Sequence, residues 1–137
     1  MRLIAVAAVA GIVSGHATAA KPVPTITVTS CKIVTSASGN LGTQITIAWT
    51  GAGKVADPTF IQVYVETTHV DGTFTDAQQL RTDFTKAELK ANKTAFGFGR
   101  ANLVDTFTVT GAQWLDNTAD THKPIATSSA PVVCTTT

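Results

Sequence analysis

Charge is scarce in this chain: Asp, Glu, Lys and Arg together make up 14% of its 137 residues. Ten basic residues stand against nine acidic ones, for a formal net charge of +1, with no run of Lys or Arg. A stripe that could track phosphates is therefore lacking, and nucleic acid is excluded as an expected partner. Histidine is equally sparse, with three in the chain. His16 falls in the N-terminal apolar segment, and neither His69 nor His122 has a partner at a metal-ligand spacing such as H-x-x-x-H. No G-x-S-x-G occurs, and Gly51-Ala52-Gly53-Lys54 lacks both the spacing and the hydroxyl residue of a phosphate loop. An enzyme must bring nucleophile, base and stabilising donors together, and no such set is legible. The sequence predicts a non-catalytic protein without cofactor or metal. Its two cysteines, Cys31 and Cys134, are too few and too far apart for a zinc site.

Long apolar runs are also missing, except at the start. Met1 and Arg2 form a minimal positive region, Leu3 to Val13 is apolar, and Ala17-Thr18-Ala19 fits the small-residue cleavage pattern before Ala20. The run is short of the roughly 20 apolar residues that span a bilayer. A signal peptide over residues 1–19 is expected, with an uncleaved anchor as the alternative. Processing would leave one domain over residues 20–137, secreted and without stable membrane insertion. In an exported protein an even cysteine pair reads as a disulfide, so Cys31 and Cys134 are expected to bond.

What remains is rich in Thr, Val, Ile and Ala, and its period is two. Thr25 to Val34 changes parity between Val28 and Cys31, which predicts a bulge or a strand that switches sheets. Gln44 to Trp49 places Ile45, Ile47 and Trp49 on one face; Phe60 to Glu66 does the same for Ile61, Val63 and Val65. Val70-Asp71-Gly72-Thr73 carries a hairpin signal. Thr85 to Ala91 predicts a helical turn or two, with Thr85 as cap and Glu88 three residues on. Thr94 to Phe98 and Thr106 to Gln113 are further strands, Leu115 to Ala130 a long polar loop, and Pro131 to Thr135 a closing strand. About seven short strands predict an all-β, antiparallel β-sandwich.

The order of I-T-I-A-W, F-I-Q-V-Y-V-E, T-F-T-V-T-G-A and S-S-A-P-V-V-C-T resembles a fibronectin type III or immunoglobulin-like module. Phe107 stands where that family places its tyrosine, and the Cys31–Cys134 pair is not a hallmark of it. The resemblance implies a sandwich whose third and sixth strands are antiparallel neighbours. The chain also resembles, over fewer features, small secreted fungal effectors built on related sandwiches.

Strand alternation predicts Phe60 and Tyr64 on an outer face, opposite the inward Ile61, Val63 and Val65. With Phe107 and Val109 inward, it predicts Thr108, Thr110, Ala112 and Trp114 outward as well. A bulge at Gly111 would reverse that register and bury Trp114. Exposed aromatics beside a long loop suit a ligand, so Phe60, Tyr64, Trp114, Asp116, Asn117, Asp120 and His122 are the candidate ligand-binding residues. The acidic loop residues could offer oxygens to calcium, but Asx turns explain them equally. Asn92-Lys93-Thr94 is a glycosylation sequon at Asn92. The expected function is a secreted module that recognises an extracellular protein or glycan. The alternative is a self-assembling surface subunit, with which the Thr-rich, low-charge strands are compatible.

Overall fold

A computed structural model of the chain describes residues 11, 15, 22–51, 60–99, 101–116 and 123–137. The signal segment expected over residues 1–19 lies outside these, apart from Gly11 and Gly15. Among the described residues, no helix is long and apolar enough to cross a membrane.

The alternation builds two sheets. In the first, the order is β5-β2-β1-β9, from Lys93–Phe98, Leu41–Thr50, Thr25–Thr35 and Thr135–Thr136. The second has the order β4-β3-β6-β7, from Phe74–Arg81, Phe60–Thr68, Thr106–Leu115 and Pro124–Ser128, with β8 (Val132–Val133) also on β6. Ile26, Ile33, Ile45, Ile47 and Phe96 from one sheet meet Ile61, Val63, Val65, Val109 and Trp114 from the other in a shared buried core. β2 and β3 bury every second residue, because successive side chains point to opposite faces of the pleat.

The parity change in β1 is a bulge. Val28 pairs with Ile47 and Ser30 with Thr46, leaving Thr29 as the extra residue. Its hydroxyl donates to the Thr46 carbonyl at 3.2 Å. Ile26 and Val28 before the bulge, and Cys31 and Ile33 after it, consequently all face the core.

The closing segment is split rather than continuous. β8 runs antiparallel to β6, pairing Val132 with Val109, whereas β9 runs parallel to β1, pairing Thr135 with Lys32. Cys134 is the crossing point between sheets. Its N–H donates to the Phe107 carbonyl at 2.8 Å, and its sulfur is bonded to Cys31 of β1. The segment expected as an unbroken polar loop, Leu115 to Ala130, contains β7, which pairs with the last part of β6.

On the connection from β4 to β5, α1 (Lys86–Ala91) forms where Thr85 and Glu88 predict it. Thr85 Oγ1 accepts from the Glu88 N–H, and Glu88 Oε2 accepts from the Thr85 N–H at 2.8 Å, a reciprocal capping box. The same carboxylate receives Arg81 Nη1 at 2.8 Å and Arg81 Nη2 at 3.0 Å, and the Thr94 hydroxyl donates to it at 2.7 Å. Led by the Thr85 N–H and then the Thr94 hydroxyl, these donors hold the Glu88 carboxyl down at about 2, from an ordinary 4.5. A carboxyl that is more acidic when folded stabilises the protein above its unfolded pKa. That contribution is lost as pH falls from about 4.5 through about 2. Glu88→Gln is accordingly expected to cost about 1–2 kcal/mol at neutral pH, given partial solvent screening. Thermal melts of both proteins should differ most above pH 5 and converge below pH 2; a gap that persists in acid would place the effect elsewhere.

Candidate recognition face

The outer face of the five-stranded sheet is set by the register of β3. With Ile61, Val63 and Val65 buried, Phe60, Gln62, Tyr64 and Glu66 point away from the core and are half-buried. β4 adds Gln78 beside Tyr64 and Leu80 beside Gln62. From β6, Gln113 pairs with Gln62 and Gly111 with Tyr64; β7 brings Thr127 beside Gln113.

These side chains form one cluster. Gln62 Nε2 donates to Gln78 Oε1 at 2.8 Å. The Tyr64 hydroxyl donates to Gln62 Oε1 at 2.9 Å and shares its proton with Gln113 Oε1 at 3.3 Å. Beside them lies a shallow depression of about 190 Å³ lined by Tyr64, Gly111, Gln113, Thr127 and Ser128. Gly111 makes that close approach available: a Cβ there would lie 3.0 Å from the Ser128 carbonyl oxygen and 3.9 Å from Tyr64 Cδ2. Phenol and amides together can donate and accept at closely spaced points, which suits a neutral ligand with many hydroxyls.

Trp114 does not belong to this face. It is 0% exposed, packed in the core opposite Ile61. The cause is a bulge at Thr110: Tyr64 pairs with Gly111 and Val65 with Val109, so Thr110 is passed over and every later residue reverses. Ala112 turns inward with Trp114, and Gln113 turns outward in their place. Phe60 is paired with Leu115, on the opposite side of the sheet from Trp114. Of the expected ligand-binding residues, the structure thus brings Phe60 and Tyr64 to one face and removes Trp114 from it.

The loop candidates divide differently. The Asp116 N–H donates to the Lys123 carbonyl at 2.9 Å, closing the base of the β6–β7 connection. Asn117, Asp120 and His122 lie outside the described residues. Asn92 ends α1 in a left-handed conformation with φ 50°, exposed, its N–H bonded to the Leu89 carbonyl. Among the described residues, no three His, Cys, Asp or Glu side chains group closely enough to hold a metal ion.

A second polar cluster has no local signal in the sequence. His69 Nδ1 lies 3.0 Å from Asp105 Oδ2, and His69 Nε2 lies 3.4 Å from the Thr75 hydroxyl. The Asn102 amide, first, and His69, second, lower the Asp105 carboxyl below its ordinary range. Such an order of hydroxyl, imidazole and carboxylate is found in hydrolytic triads. Here the hydroxyl contact is long, and the cluster pins the β3–β4 turn to the loop before β6. Only the fold brings His69 and Asp105 together, since 36 residues separate them in sequence.

No protein-family model matches this chain, and no curated protein or solved structure matches it either.

Proposed function

We propose that the chain is a secreted, non-catalytic recognition module that binds a neutral, hydroxyl-rich glycan on the outer face of the β4-β3-β6-β7 sheet. The observation that carries this reading is the joined set of Gln62, Tyr64, Gln78 and Gln113. Among the described residues, no Lys or Arg lies on the strand positions flanking that set; the neighbours are Leu80, Thr127, Phe60 and Gly111, with the Glu66–Asp76 pair bordering Tyr64 and Gln78. A face of amides and a phenol, bordered by carboxylates and without cations, favours an uncharged polyol over an anionic partner. Tyr64 supplies a ring for sugar C–H groups, while the amides read hydroxyl pairs. The fibronectin type III-like resemblance is supported by the antiparallel pairing of the third strand with the sixth, and secretion by the disulfide.

The test is titration of the purified protein with soluble β-glucan, mannan and chitin oligosaccharides. Tyr64→Ala is expected to weaken binding of whichever oligosaccharide is bound by about tenfold or more, since central aromatics dominate such surfaces. A thermal melt checks that the variant remains folded. Binding to none of these sugars, or equal binding by Tyr64→Ala, would remove the glycan reading.

A further inference from the structure

The five-stranded sheet ends at β4, and nothing among the described residues pairs with the far side of that strand. An unpaired edge is usually guarded by Lys, Pro or a bulge. β4 reads F-T-D-A-Q-Q-L-R, pairs with β3 without a register shift, and has Asp76 as its lone charge before Arg81. Arg81 itself is occupied by Glu88. Phe74 and Leu80 remain 64% and 51% exposed.

The turn fixes which backbone groups face outward. The His69 N–H donates to the Thr73 carbonyl at 2.8 Å, so 69 and 73 form a hydrogen-bonded pair. Pairs alternate along an antiparallel ladder. Thr75, Ala77 and Gln79 thus direct their N–H and C=O toward β3, opposite Thr67, Val65 and Val63. Phe74, Asp76, Gln78 and Leu80 direct theirs to the open edge. Those same four side chains share the outer face, beside Thr68, Glu66, Tyr64 and Gln62.

We infer that β4 pairs with β4 of a second copy of this chain, antiparallel, about a two-fold axis through Ala77. This register puts Phe74 opposite Leu80 of the second copy and Asp76 opposite its Gln78. Each such pair can exchange both backbone hydrogen bonds, because the groups already point outward. Gln78 Oε1 is taken by Gln62, which leaves the Gln78 amide N–H groups to meet the facing Asp76 carboxylate. Moving the axis to Asp76 would set acid against acid, and moving it to Gln78 would set Asp76 against Leu80. Only the Ala77 register matches apolar with apolar and acid with amide. The two sheets then run on as one, independently of what their outer face recognises.

Sedimentation of the purified chain over a range of concentrations tests the association, and cysteine cross-linking tests the register. At the axis the two Ala77 residues form a non-hydrogen-bonded pair, with Cα atoms about 4.5 Å apart, a separation that a disulfide spans. Ala77→Cys is expected to give a covalent dimer on the order of tenfold faster than Lys90→Cys on the exposed face of α1. Ala77→Lys, an exposed position that would set two ammonium groups together, is expected to abolish the twofold mass while keeping the melting curve. A chain that stays monomeric at every concentration would overturn the inference. So would Ala77→Cys linking no faster than Lys90→Cys, Gln78→Cys linking faster than Ala77→Cys, or an Ala77→Lys protein that still dimerises.

Discussion

Replacing Cys31 and Cys134 together by alanine is expected to lower the free energy of unfolding by about 4–5 kcal/mol, most of the stability that a small domain has in reserve. The bridge closes a loop with a sequence separation of 103 residues, so opening it restores much chain entropy to the unfolded state. The folded state loses as well. Both residues are buried, at 3% and 8% exposure, and shortening them leaves two small voids in the shared core. The loss should be local in onset. β9 is held to β1 through Lys32 and Ile33, and Cys134 is the point where the chain leaves β6 for β1. Amide exchange in the double variant should therefore rise first at Thr135 and Thr136, while β3 and β6 stay protected. Chemical denaturation of oxidised, reduced and double-alanine protein gives the energies directly. A loss under about 1 kcal/mol would mean that packing alone closes the sandwich.

Much of this architecture was legible because local chemistry and tertiary environment agree. In β2 and β3 the apolar period and the buried set coincide, and the β1 parity change marks a true bulge. Thr85 and Glu88 predict α1 because a capping box is a local device. β4 is illegible in the sequence for a physical reason. As an edge strand with little buried area, T-D-A-Q-Q-L shows no apolar alternation to read. β7 was hidden within a polar run for the same reason, and its Ala126 is too small to signal burial. The outer-face cluster was half visible. Tyr64 and Phe60 follow from β3 alone, whereas Gln78 needs β4, and Gln113 needs the position of the bulge in β6.

Deleting Thr110 is expected to cost far less than truncating Trp114, the one an exposed residue and the other buried. Thr110 is the one residue of β6 passed over between the Gly111–Tyr64 and Val109–Val65 pairs, and its hydroxyl reaches only the Tyr64 carbonyl, at 3.5 Å. As a side chain it does little, so Thr110→Ala should stay within about 0.5 kcal/mol of the parent. As a backbone unit it is the extra residue of the bulge. Without it, Val109 and Gly111 become consecutive opposite Val65 and Tyr64, and the ladder closes without a bulge. Gly111 and Gln113 still point outward, and Ala112 and Trp114 still face the core. The deletion is therefore expected to cost about 1 kcal/mol. Losing the buried indole in Trp114→Ala costs about 3–5 kcal/mol. Denaturation midpoints of the three variants decide the matter. If the deletion melts as low as Trp114→Ala, the bulge holds more of the strand than its register. If it melts close to the parent, the pairing with β3, and not the count of residues in β6, determines that Trp114 belongs to the core and Gln113 to the surface.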